Sequence, residues 1–266
     1  MEKQKKTNGE FVPQDALVRE HLSTLQREAE EGDAGAQFVL GVCYFTGLGV
    51  ATDKVEAARW YRRGAEQGNA DAQCQLGVCY STGQGVVADK VEGVGWFRRA
   101  AEQGDAGAQF NLGLCYARGE GVGEDKIEAV RWFRRSAEQG FVDAQCRLGV
   151  CYSTGHGVDA DKAEAVKWFR AAAEQGDADA QFNLGVCYAL GEGVEEDKAE
   201  AVRWYLRAAE QGNATAQVNL GNCYDCGEGV EEDKGEAANW YLRAAEQGDA
   251  DAQLNLGVLL CARRRR

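Results

Sequence analysis

The chain has 266 residues, 44% of them hydrophobic, and a formal net charge of −13 from 30 basic and 43 acidic side chains. That balance argues against nucleic-acid binding along the body, because a phosphate backbone needs clustered Lys and Arg. With no run of about 18 apolar residues, nothing in the sequence is expected to span a membrane.

The N-terminal stretch 1–13 is polar, lacks the apolar run of a secretory signal, and reads as a flexible tail. Residues 14–32 follow as a helix, with Val18, Leu22, Leu25 and Ala29 at helical spacing and Gly32 as its stop. From residue 33 to 261 the phrase Gln-x-x-Leu-Gly-x-Cys-Tyr returns on a 36-residue step, from Gln37 and Gln73 through to Gln217, and its opening Gln-x-x-Leu-Gly once more at Gln253. A fixed period of this length means a solenoid, in which each unit packs on its neighbours. Residues 33–261 therefore hold six full units and a terminal half unit, and the 14–32 helix caps the first of them. Of 34 glycines, 26 fall in the columns of Gly32, Gly41, Gly47 and Gly49, so they punctuate structure and do not signal disorder.

The fifth unit shows how the repeat is built. Gly176 ends one helix and Asp177 caps the next, helix A, expected over about 178–189. The loop from Leu190 to Glu196 uses Gly191 and Gly193 for backbone angles that other residues resist. Asp197 caps helix B, and Glu200, three residues on, is expected to complete a capping box, as are Glu56, Glu92, Glu128, Glu164 and Glu236. Ala180, Leu184, Gly185 and Tyr188 form one face of helix A, and Ala201, Tyr205, Ala208 and Ala209 the opposing face of helix B. Gly185 is costly in a helix, so its return in every unit implies an approach too close for a Cβ. Trp204 is expected to pack over the Gly-x-Gly loop.

Ten cysteines raise disulfide and zinc chemistry. Six form one column, from Cys43 to Cys223, and like positions in successive units lie too far apart for a disulfide. Cys223 and Cys226 match C-x-x-C but have no second pair or nearby His. Buried free thiols and a reducing, cytoplasmic compartment are the expectation, with no metal and no cofactor. Cys74 and Cys146 alternate with Phe38, Phe110 and Phe182 at one column, which suggests duplication of a two-unit block. The final helix, with Leu256, Val258, Leu259 and Leu260, is unusually apolar and suggests end-to-end self-association or a chain cut from a longer protein. The basic tail 262–266, ending Arg263 to Arg266, is either an import or anionic-surface signal or a solubilising end.

The run Gly-Asp-Ala-x-Ala-Gln-x-x-Leu-Gly-x-x-Tyr, then Gly-x-Gly-Val, then Ala-x-x-Trp-Tyr/Phe-x-x-Ala-Ala, resembles the Sel1-like repeat, a relative of the tetratricopeptide repeat. The resemblance implies an all-α, right-handed superhelical solenoid of antiparallel helix pairs. It departs from the family pattern where Pro often follows Gly-Val and where Met often replaces the Cys43 column. In the related tetratricopeptide fold, helix A lines a concave groove. Carried onto this chain, that groove takes Phe38, Phe110, Asn111, Leu114, Arg118, Arg147, Phe182, Asn183, Asn219 and Asn222. Asparagines there clamp a peptide backbone, and Phe and Val positions bury apolar anchors; equally, both columns serve packing between helices.

Catalysis finds little support, and the chain reads as no enzyme. His21 and His156 do not recur, and no nucleophile elbow, phosphate loop or metal pair on one helix face occurs. The leading expectation is a non-catalytic scaffold or adaptor that binds other proteins or peptide segments. The alternatives are a β-lactam-binding hydrolase of the cysteine-rich Sel1-like type, and the repeat portion of a larger signalling or enzyme protein.

Overall fold

The computed structural model describes the backbone of residues 14–264 and the side chains of 21–261. The predicted flexible stretch 1–13 and the side chains of the basic tail 262–266 lie outside the described residues. All the described regular structure is helical, without a strand. The helices are α1 (Gln14–Glu31), α2 (Ala34–Thr46), α3 (Lys54–Glu66), α4 (Ala70–Thr82), α5 (Lys90–Glu102), α6 (Ala106–Arg118) and α7 (Lys126–Glu138). They continue as α8 (Val142–Thr154), α9 (Lys162–Glu174), α10 (Ala178–Leu190), α11 (Lys198–Glu210), α12 (Ala214–Cys226), α13 (Lys234–Glu246) and α14 (Ala250–Arg264). Even-numbered helices are helix A of a repeat, and odd-numbered helices from α3 on are helix B.

Contacts gather the chain into two compact units. The first runs to Cys115 and adds the loop Gly119–Gly123; the second takes Tyr116–Arg118 and continues from Glu124. In the first, α1 packs on α2, α2 on α3, α3 on α4 and α4 on α5. In the second, each helix from α7 to α13 packs on the next, ending with α13 on α14. Contact is more extensive inside a hairpin than between hairpins. The chain is thus a solenoid of helix pairs.

Caps set the start of each helix. The Asp177 carboxylate accepts from the Ala180 N–H at 2.7 Å, and Asp197 accepts from the Glu200 N–H at 2.9 Å. The second half of the predicted capping box does not form. The Asp197 N–H donates instead to the Tyr188 carbonyl at 2.9 Å, tying helix B back to helix A, and the Glu200 carboxylate pairs with Arg203 at 2.8 Å. Backbone already satisfies the donor that Glu200 was expected to reach. Phe141 stands at the N-cap of α8 and supplies no side-chain cap hydrogen bond, a local cost of about 1 kcal/mol. Its side chain is half-buried.

The helix glycines act as seats for aromatic rings. A Cβ on Gly185 would lie 2.7 Å from the ring of Tyr205, and one on Gly77 or Gly149 2.6 Å from Phe97 or Phe169. In the repeat of Gly185, Leu184, Ala180 and Ala208 are fully buried. The second loop glycine serves a different contact: at Gly193, φ is +74° and a Cβ would sit 2.1 Å from the Lys162 carbonyl oxygen. Each such loop therefore rests its bare backbone on the start of the preceding helix B.

Polar side chains complete the stack. Buried Gln181 donates to the Ala173 carbonyl at 3.1 Å and accepts from Gln211 Nε2 at 2.8 Å. The pattern repeats at Gln73, which donates to Ala65 at 3.0 Å and accepts from Gln103 at 2.7 Å. One amide thus joins three helices with both of its ends satisfied, which is why the most regular polar column of the sequence is also a buried one.

Candidate functional site

Helix A buries one side and offers the other. In α10 the buried residues are Ala180, Gln181, Leu184, Gly185 and Cys187. The remaining stripe, at the columns of Val39, Val42 and Thr46, carries residues that differ from repeat to repeat. Val39 is 45% exposed, and Arg118, Arg147 and Asn222 are exposed. These side chains are open to solvent.

The other predicted site residues are half-buried, and most have work inside the fold. Phe38 and Phe182 pack against Tyr61 and Tyr205, with ring centroids 6.1 and 6.0 Å apart. Three of the asparagines bond to other helices. Asn111 is hydrogen-bonded to Cys74 and Asn219 to Tyr205. Asn222 Oδ1 accepts from Tyr241 Oη at 2.7 Å and from Asn255 Nδ2 at 3.4 Å. Asn183 Nδ2 bonds the Asp179 carbonyl of its own helix at 2.8 Å. Leu114 and Phe110 line the same side of α6. In the second unit these columns carry Arg118, Arg147, Asn183, Asn219 and Asn222, and Asn222 is linked to the amide of Asn255.

The cysteines are free thiols, so no paired cysteines tie helices together. Burial pushes the Cys187 and Cys223 thiols up to about 11. Cys74 and Cys146 are pushed up to about 12, first by burial and then by Asp105 and Asp177, to which the thiols donate. Those aspartates cap α6 and α10, so both thiols of the Cys/Phe alternation stand against an Asp cap, whereas Phe38, Phe110 and Phe182 precede Asn69, Phe141 and Asn213. Such thiols stay protonated at neutral pH and are poor nucleophiles. His156 Nδ1 lies 2.7 Å from Thr154 Oγ1, but that hydroxyl already donates to the Val150 carbonyl at 2.7 Å. The imidazole is then the donor, the wrong direction for activating the hydroxyl.

Three contact sets were not read from the sequence. The glutamine network is one. Another is a run of lysines at the start of helix B that reach the next loop: Lys162 to Glu192 at 2.7 Å, Lys198 to Glu228 at 3.1 Å and Lys54 to Gln84 at 2.8 Å. His156 holds the acceptor's column in its loop, and Lys126 pairs with Glu124 at 3.3 Å instead. Third, arginines stack on the tryptophans three residues back, as Arg207 does over Trp204 at 4.5 Å. The signal for each was a second column in step with the first, such as Gln67 to Gln247 beside Gln37 to Gln217.

Comparison with known proteins agrees with this architecture. The Sel1 repeat profile matches six times in succession, over 34–69, 70–105, 106–141, 142–177, 178–213 and 214–249. A protective antigen of uropathogenic Escherichia coli strains, described as displaying an SLR fold, superposes with a TM-score of 0.85 at 40% identity. That match covers 90% of this chain and 51% of the antigen, so the chain spans about half its length. A Sel1 repeat protein from Oxalobacter formigenes superposes with a TM-score of 0.73 at 34% identity, over 88% of this chain and 97% of that one. An immunity protein from Pseudomonas aeruginosa shares the fold at 19% identity, with a TM-score of 0.51 and 82% of each chain covered. No curated protein matches the chain. Six consecutive repeats in one register make this chain a member of the Sel1 repeat family.

Proposed function

We propose that this protein is a non-catalytic scaffold that holds a partner protein segment against the outer stripe of helix A. One observation carries the reading. The columns that build the solenoid barely change between repeats, whereas the partly exposed column of helix A runs Val39, Arg147 and Asn255, and its neighbour Val42, Leu114 and Asn222. Positions that reach solvent and are free to vary between repeats are what a binding surface requires. In the second unit Arg118, Arg147 and Asn222 are the preferred contacts: two cations with spare donors and an amide open to solvent. Asn183 and Asn219 support them as a second layer, and the Phe182 ring forms the floor. The partner segment, the cytoplasmic setting and the adaptor role all belong to this proposal.

The test compares the wild-type chain with an Arg118→Glu/Arg147→Glu/Asn222→Asp variant of equal helicity as bait. Partners retained by the first and lost by the second support the helix A stripe. Equal retention by both moves the interface elsewhere on the molecule.

A further inference from the structure

Separate from the helix A stripe, helix B carries a second surface whose chemistry is specific. On α3, Arg59, Arg62 and Arg63 line a hollow of about 540 Å³, together with Trp60, Val55 and, from the next loop, Val86. Arg63 lies over the Trp60 ring at 4.7 Å, and Arg62 donates to Tyr80 Oη. Trp60 is only 8% exposed, and its Nε1 is buried with no acceptor. The direction of that donor follows from the next repeat. There Trp96 Nε1 donates to Glu92 Oε1, four residues back, at 2.9 Å. The counterpart of Glu92 is Glu56, which lines the hollow. Trp60 Nε1 therefore faces the wall of the hollow, and Arg59 holds Glu56 away from it at 3.1 Å.

A related hollow occurs on α7. There Arg131, Arg134 and Arg135 line a hollow of about 450 Å³ with Ile127 and Val158. Glu128 is again held by the first arginine, at 3.0 Å, and Trp132 Nε1 is again buried without an acceptor, as are Trp168 and Trp204 Nε1 on helices that lack the full triplet. The lining of this second hollow also includes Glu138. The complete triplet is found in the first and third repeats alone. Gly95 replaces its first arginine in the second, Ala171 its last in the fourth, and Leu206 and Leu242 its middle one thereafter. Where Gly95 stands, Glu92 has no cation three residues on and satisfies the indole itself.

We propose that each hollow binds a phosphate or sulfate monoester carried on an apolar body. Guanidinium groups have several donors in a planar fork suited to a tetrahedral oxyanion, a buried indole N–H lacks an acceptor, and the valine walls take the apolar part. A protein of net charge −13 thus keeps two local sites for anions, where long-range attraction plays no part.

The experiment titrates the ¹⁵N-labelled full chain with phenyl phosphate, a short phosphotyrosyl peptide and inorganic phosphate, following the indole N–H signals. Signals of Trp60 and Trp132 are expected to move saturably with both esters, while those of Trp96, Trp168 and Trp204, whose helices lack the full triplet, stay. Inorganic phosphate is expected to bind about tenfold more weakly, lacking the apolar contact. Tighter binding of the peptide assigns a protein-borne ester, and equal binding a free one. Arg62→Gln/Arg63→Gln should weaken binding at Trp60 by about tenfold or more. Gly95→Arg supplies a gain that does not depend on that variant folding. An added Cβ there meets nothing within 4 Å, and an arginine should draw Glu92 away and make Trp96 responsive. The proposal is overturned by no saturable movement up to about 10 mM ester, by equal movement of all indoles, by inorganic phosphate binding as tightly as the esters, or by an unresponsive Trp96 in Gly95→Arg.

Discussion

Gly185 and Gly257 occupy the same place in the repeat, yet their surroundings are opposite. At Gly185 a neighbouring Tyr205 ring fills the space a Cβ needs, whereas at Gly257 nothing lies within 4 Å. The difference extends along both helices. Gln181 is buried and bonded at both ends, while Gln253 is exposed and keeps one longer bond to the Ala245 carbonyl, 3.4 Å. Leu254 and Val258 on α14 are 65% and 62% exposed. A repeat residue is thus only half specified by its own helix; the other half comes from the helix that covers it. The same letter in the same register is a tight contact inside the array and an ordinary surface residue on α14.

The largest effect should come where the backbone itself is the obstacle. Gly193→Ala puts a side chain on a residue at φ +74° and against the Lys162 carbonyl, so a loss of about 3 kcal/mol is expected in urea unfolding. Next comes the buried amide. Gln181→Leu leaves the Ala173 carbonyl and the Gln211 amide without their partner, at a cost of about 2 kcal/mol, while Gln253→Leu should change stability by under about 0.5 kcal/mol. Equal effects at the two sites would contradict the view that the covering helix makes the difference.

The glycine pair itself sharpens the comparison by sign. Gly185→Ala gains about 1 kcal/mol of helix propensity but forces the Tyr205 ring to move, for a net loss of about 1 kcal/mol. Gly257→Ala meets no obstacle and should slow amide exchange in α14, whereas Gly185→Ala should speed it in α10.

The smallest effect is one that is absent at neutral pH. Cys187 and Cys223 titrate near 11 when folded, above the ordinary thiol value of about 8.5. Their contribution is complete below that value and is lost as pH rises toward 11, because the unfolded chain releases the protons first. Urea midpoints should therefore hold steady from neutral pH to about 8.5 and then fall. In parallel, exposed Cys226 and Cys261 should react with a thiol reagent well before buried Cys79 and Cys187.

Much of the fold was legible because the repeat writes each contact several times. Asp177 and Asp197 were readable as caps, and the return of Gly185 was readable as a close approach. The glutamates were misread as capping-box partners, since sequence spacing shows that Glu200 lies near the Asp197 N–H but not that Tyr188 has taken it. For the site, the sequence separated variable columns from packing columns. It did not show that Phe182 lies on Tyr205, or that Asn222 is engaged by Tyr241 and Asn255, because those partners sit on other helices.

By itself, the sequence determined the repeat, the helix pairs and the residues that punctuate them, because those depend on local backbone preference and on a period that can be counted. Only the tertiary structure decided what each repeated residue does. The Tyr205 ring fixes Gly185, three helices share Gln181, and Arg59 takes Glu56 and leaves the Trp60 indole unsatisfied. Hydrogen bonds and close packing act between neighbours in space, and a column of identical letters does not say which neighbour arrives.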